Sequence, residues 1–209
     1  MPISIVENAD CMIKMKEFPD KYFELAIVDP PYGIGASEMQ MGLGKKLWKK
    51  GKGWDQHVPN EEYFLELFRI SKNQIVWGAN HFVLPISRGW IFWDKDVQPD
   101  LSFSSGELAW SSFDCVLKKA NIDYSGFRGK DSDKIHPTQK PVALYKWLLH
   151  NYANEGDKIL DTHLGSGSSR IAAYDMGFDF WGYELDKDYF EAQEKRFKQH
   201  KAQLKLFNH

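Results

Sequence analysis

Residues 25–35 read LAIVDPPYGIG, an apolar run that ends in an acid, two prolines and a tyrosine. Each proline holds φ near about −65° and lacks an N–H, so Pro30 and Pro31 form a stiff elbow that offers carbonyl acceptors and no donors. Asp29 adds a carboxylate to those acceptors, and Tyr32 is held wherever the elbow points. A second stretch, residues 158–186, reads KILDTHLGSGSSRIAAYDMGFDFWGYELD. It runs strand, acid, glycine turn, helix and strand. Gly165 and Gly167 remove the Cβ atoms that would keep a ligand from the backbone, and the helix start that follows exposes amides. Glu184 closes the next strand roughly twenty residues on, where a carboxylate can accept from both hydroxyls of a ribose. This is the layout of an adenosine-cofactor site. A dinucleotide fingerprint would need a third glycine where Arg170 stands, and no GK[ST] follows for a phosphate loop.

Elements that could position these residues are legible. Apolar runs at 3–6, 25–28, 74–79, 89–93, 107–113, 158–162 and 180–185 predict seven strands. Helical spacing appears at 60–71, with acids at its start and apolar residues at 63, 64, 67, 68 and 70. It recurs at 141–153 and at 168–177, where Gly177 is a helix-ending residue. Charge alternates at helical spacing over 194–205, which reads as an exposed helix face. Strand and helix alternate, so the prediction is one three-layer α/β domain over residues 1–209. Two stretches without a period, 34–59 and 118–135, are predicted loops, and long loops in a small domain tend to be functional.

Composition narrows the partners. The net charge of −2 argues against a chain coated in positive charge, so any nucleic-acid contact must be local. Charge is uneven: Lys45, Lys46, Lys49, Lys50 and Lys52 crowd together with no acid between Glu38 and Asp55. Two cysteines, Cys11 and Cys115, make no disulfide framework and suggest a reducing compartment. The first residues lack the basic lead and apolar core of an export signal, and no run reaches the ~20 apolar residues of a membrane span. A soluble, cytoplasmic protein is expected.

DPPY at 29–32, HPTQKP at 136–141 and DTHLGSGS at 161–168 together closely resemble the amino-group DNA methyltransferases, in the permuted motif order of the β group. WGANHF and FWDK further resemble a subgroup common in phage-type enzymes. The resemblance runs from about Asp10 to Phe197. It implies a Rossmann-like S-adenosylmethionine-dependent methyltransferase fold with a mixed seven-stranded sheet. It also implies methyl transfer to an exocyclic amine, adenine N6 or cytosine N4, of a base flipped out of duplex DNA. DPPY is more typical of adenine enzymes and SPPY of cytosine ones. A ring amine is a poor nucleophile because its lone pair is delocalised. Asp29 and the Pro30 carbonyl could accept its two N–H groups and favour a tetrahedral nitrogen, with Tyr32 stacked on the base. Asp29, Pro30, Pro31 and Tyr32 are therefore the expected catalytic residues, in a direct in-line transfer with no covalent intermediate.

The resemblance also assigns the cofactor site. Asp10 is expected near the adenine, with Cys11 beside it. Asp161, His163, Gly165, Ser166, Gly167 and Ser168 belong to the glycine turn, and Glu184 with Leu185 to the ribose end. His136, Thr138, Gln139 and Lys140 are expected to clamp the methionine end beside Asp29, with Lys140 a natural partner for its carboxylate. The family usually carries an aromatic residue where this sequence has His163 or Leu164. No metal is expected, since His163 has no other ligand at suitable spacing. Cys11 and Cys115 lack the proline-cysteine setting of the cytosine-C5 enzymes and read as structural. Lys45, Lys46, Lys49 and Lys50 could follow phosphates, with Trp48 and Trp54 available to stack, or form a solvated loop. Trp93, Asp94 and Lys95 end a strand on the expected active edge, where Trp93 could equally be core. The short recognition region leaves room for specificity shared across a homodimer and for a cognate restriction endonuclease. It also admits a rival of another class, a non-catalytic cofactor- or DNA-binding module.

Overall fold

Strand β2 (Phe23–Val28) lies mid-sheet and is apolar at every position but Glu24. Its side chains alternate between two cores. Leu25 and Ile27 pack with α3 (Val142–Tyr152) and α4 (Ser168–Met176) on one face. Ala26 and Val28 pack with α1 (Cys11–Met15) and α2 (Glu61–Ile70) on the other. A strand buried on both faces needs this near-continuous apolar run. The computed structural model describes residues 2–36, 53–96, 104–123 and 134–207. They form three layers around a single eight-stranded sheet. Its other strands are β1 (Ser4–Asn8), β3 (Ser71–Trp77), β4 (Trp90–Asp94), β5 (Gly106–Ser111), β6 (Lys118–Asn121), β7 (Lys158–Asp161) and β8 (Asp179–Glu184). The order is β1-β8-β7-β2-β3-β5-β4-β6, and β5 runs against both its neighbours.

All seven apolar runs form strands. The eighth, β6, falls in a segment whose composition predicts a loop. Its sequence KKAN has a single apolar residue, and it pairs only at the sheet edge, parallel to β4. Lysines on an edge strand block further pairing, which explains why the strand carries no hydrophobic signature. The helices start and stop where local chemistry dictates. Asn60 caps α2 by accepting from the Tyr63 amide at 3.1 Å, and Glu61 and Glu62 fill its first turn. α4 is bracketed by Gly167 and Gly177, both in the left-handed region at φ 71° and 82°. α1, too short for a periodic signal, is capped by Asp10. α5 (Lys187–Phe207) closes the chain. Among the described residues no helix is long and apolar enough to cross a membrane.

Two connections set up the site. β2 leads to α2 on one face of the sheet, whereas its parallel neighbour β7 leads to α4 on the opposite face. The chain therefore opens a crevice at the carboxyl ends of β2 and β7, the place where open α/β sheets bind ligands. Register brings β8 alongside, with Asp161 opposite Gly182, and β1 next, with Asn8 opposite Glu184.

Candidate active site

A cavity of about 490 Å³ fills this crevice. Its wall includes Asp10, Cys11, Asp29, Pro31, His136, Thr138, Gln139, Lys140, His163, Gly165, Ser166, Glu184 and Leu185, residues from five separate parts of the sequence. Asp161, Gly167 and Ser168, expected in the same site, stand behind the wall. The Asp161 carboxylate receives the Ser169 hydroxyl and the His163 amide, Gly167 caps α4, and the Ser168 hydroxyl meets Ser166 and Arg196. They shape the glycine turn from inside. Gly165 sits at φ 52°, and its amide donates to Glu184 Oε2 at 2.8 Å while the Asp186 amide takes Oε1 at 2.8 Å. Both oxygens of Glu184 are thus oriented by backbone.

The elbow is held more firmly than two prolines require. Asp55, 1% exposed, accepts from the amides of Tyr32 at 2.6 Å, Gly33 at 3.0 Å and Ala36 at 2.7 Å. One carboxylate thereby satisfies three donors of the turn that the prolines begin. The Tyr32 ring lies on Gly78, where a Cβ would come within 2.1 Å of the ring, and stacks on His81 at 5.1 Å and 10°. Its hydroxyl donates to Asp29 Oδ1 at 2.6 Å. The ring expected to stack on a base is therefore covered on one side by an imidazole.

Lys140 also departs from expectation. Its ammonium, 3% exposed as a side chain, is committed to Asp29 Oδ2 and lies 3.0 Å from Glu107 Oε2 and 3.2 Å from the Tyr32 hydroxyl. Burial works against the charge, but the two carboxylates outweigh it and raise the lysine above its usual range. Trp54, expected on DNA, packs its ring against His136 at 5.1 Å in the cavity wall, and Tyr189 meets the other side of His136 at 4.3 Å. Lys45, Lys46, Trp48, Lys49 and Lys50 lie outside the described residues. Trp93 is core, fully buried, with its indole N–H donating to the Ile122 carbonyl at 2.7 Å.

Asp55, Glu107, Tyr145 and Tyr189 had no signal in the sequence. Asp55 follows a lysine-rich stretch, and Glu107 opens a strand that reads as core. The two tyrosines belong to apolar helix faces. Burial pushes the Cys11 thiol up to about 12, with the Asp10 charge adding to it, so the cysteine is a wall and no nucleophile. The His163 ring lies edge-on to Tyr63 at 5.4 Å, with its Nδ1 2.9 Å from the Thr162 hydroxyl. Burial holds it down to about 4, so the ring is neutral at physiological pH.

Burial lifts Asp161 to about 7 against the Ser169 and His163 donors. A carboxyl raised on folding contributes stability in full below its unfolded value near 3.8 and loses it as pH rises through about 7. Asp161→Asn removes that slope. The melting temperature of the ligand-free variant, relative to wild type, should therefore climb between pH 4 and 7.5; parallel curves would contradict the assignment. Asp55→Ala strands three amides and should lower stability in urea by about 2 kcal/mol or more. Asp55→Asn, which loses only the Ala36 contact, should cost less, and equal losses would show that the amides are not what Asp55 holds.

Comparison with known proteins agrees with this geometry. Residues 92–195 match the DNA methylase family model that spans N6 and N4 enzymes. The type II methyltransferase M2.LlaDCHI of Lactococcus lactis subsp. cremoris is 23% identical over 238 residues, covering 92% of this chain and 88% of its own. Among solved structures, the M1.HpyAVI–SAM complex superposes with a TM-score of 0.60 at 19% identity, covering 94% of this chain and 100% of that one. The cytosine-N4-specific PvuII DNA methyltransferase gives 0.58 at 14%, covering 94% and 87%. The sheet and the crevice have the fold of these enzymes, and residues 92–195 carry the match to the DNA methylase family of N6 and N4 amino-group methyltransferases.

Proposed function

We propose that this protein moves a methyl group from S-adenosylmethionine to N6 of an adenine rotated out of a DNA duplex. The observation that carries the reading is that Asp29 shares one cavity with Gly165 and Glu184. The volume, about 490 Å³, lies in the range of cofactor pockets. Its polar groups suit this cofactor. Glu184, oriented by two amides, is an acceptor for ribose hydroxyls. Gln139 is 4% exposed and its Oε1 accepts from the Ile135 amide at 3.1 Å, but among the described residues its buried Nε2 has no hydrogen-bond partner. An unpaired buried donor costs about 1–3 kcal/mol, which an amino-acid carboxylate at this point would recover. Gln139 thus takes the role that the sequence suggests for Lys140.

When bound, S-adenosylmethionine supplies a methyl carbon made electrophilic by the sulfonium charge. The protein's part is to orient the amine. Asp29 accepts one N–H at the Oδ1 position now given to the Tyr32 hydroxyl, and the Pro30 carbonyl accepts the other. Both acceptors sit on one elbow, so the nitrogen is turned with its lone pair out of the ring plane, and positioning of this kind removes much of a barrier. Asp29 then takes the proton released from the methylated amine. Tyr32, released from Asp29, offers its ring to the extruded base.

Adenine is preferred because the elbow is spelled DPPY. Cytosine N4 is the second reading, favoured by the fold shared with the PvuII enzyme. Incubation with labelled cofactor and mixed-sequence duplex, followed by nucleoside chromatography, should yield N6-methyldeoxyadenosine; N4-methyldeoxycytidine would replace adenine as the target. Asp29→Ala should lose at least about 10²-fold in transfer rate while calorimetry still detects cofactor binding. Retained transfer in that variant would remove Asp29 from the reaction.

A further inference from the structure

Glu107 is the second residue of β5, two strands away from Asp29 in the sheet order β2-β3-β5. Its side chain reaches back across β3, where Trp77 is fully buried, to the Lys140 ammonium. Lys95, from the end of β4, meets the other carboxylate oxygen at 2.6 Å. Four charges of alternating sign therefore run in a line, Lys95, Glu107, Lys140 and Asp29. Side-chain exposure along the line is 13%, 23%, 3% and 17%. Indole rings lie beneath both cations, with Lys140 Nζ 5.4 Å from the centre of Trp77 and Lys95 Nζ 5.1 Å from that of Trp93. Charges in such surroundings are weakly screened, so each one is felt by the next.

The Lys140 ammonium faces Glu107 Oε2 at 3.0 Å while it donates to Asp29 and to the Tyr32 hydroxyl. Burial opposes the charge of Glu107, but Lys140 and Lys95 outweigh it and hold the carboxyl at about 2. Glu107 is therefore ionised throughout the working range.

We propose that Glu107 is a positioning residue for methyl transfer, sharing the Lys140 ammonium with Asp29 so that Asp29 keeps the negative charge needed to receive the target amine. The inference rests on the reading of Asp29 as amine acceptor. Its logic is charge balance. Lys95, Glu107, Lys140 and Asp29 sum to zero, and Glu107 divides the pull of Lys140 between two carboxylates, which leaves more of the Asp29 charge for an amine that becomes cationic as it takes the methyl. Without Glu107 the remaining three groups carry +1, and Lys140 draws wholly on Asp29. The lysine is then a brake on the acceptor as well as its anchor.

A double-mutant cycle on the full chain separates this role from a packing role. Glu107→Gln, nearly the same shape, should slow single-turnover transfer about tenfold or more, with cofactor affinity by calorimetry and melting temperature close to wild type. Lys140→Met should also be slow, because two carboxylates then face each other. The double variant restores the balance of charge and should be faster than the product of the two losses by about tenfold. Losses that multiply, or an E107Q variant as fast as wild type, would overturn the proposal. Should E107Q fail to fold, Glu107→Ala, which also removes the charge, takes its place in the cycle under the same criterion. A wild-type chain that transfers no methyl to DNA would overturn the parent reading instead, and that arm is measured first.

Discussion

The parallel pairing of β2 with β7 brings the acid of one loop and the glycine turn of another to the same edge of the sheet, and every other contact in the site presupposes it. The register is tightly specified. Leu25 and Ile27 face one core while Ala26 and Val28 face the other, so a slip by one residue would exchange the two sets and leave neither packed. Because α2 and α4 leave on opposite faces, the crevice between their loops is a product of topology and needs no residue dedicated to opening it. The hydrophobic effect fixes the sheet, and the sheet fixes where polar chemistry can occur.

Within that frame the polar groups hold one another in place. Burying an ammonium as deeply as that of Lys140 is unfavourable unless it is paired, and breaking such a pair costs more than the pair gains. Asp29 and Glu107 supply the pairing from two different strands, and Lys95 completes it. Asp55 does for the backbone what Lys140 does for the side chain: it satisfies three amides of a turn whose prolines leave little freedom. The Tyr32 hydroxyl on Asp29 and the His81 ring on Tyr32 keep these groups satisfied before a substrate enters.

Much of this was legible in the order of residues. Periodicity located seven strands and the main helices, because alternation and helical spacing are local consequences of packing against a core. The elbow, the glycine turn and Glu184 stood out because prolines, glycines and strand-end acids restrict the backbone in ways that a sequence displays directly. β6 escaped because an edge strand of lysines has no apolar face to show. Asp55 and Glu107 escaped for a different reason: nothing in their neighbours distinguishes an acid that will bind backbone amides, or a buried ammonium, from one that will face water.

The sequence by itself determined the elements and the chemical vocabulary of the site, since stiffness at Pro30 and Pro31, left-handed freedom at Gly165 and Gly167, and apolar period act over a few residues. Only the tertiary structure decided the partners. Lys140 resembles a carboxylate ligand in its motif, yet the fold sets it between Asp29 and Glu107. Trp54, from a stretch that reads as a DNA contact, closes on His136. Electrostatic pairing depends on distances between residues as much as 111 positions apart, and those distances exist only once the sheet has assembled.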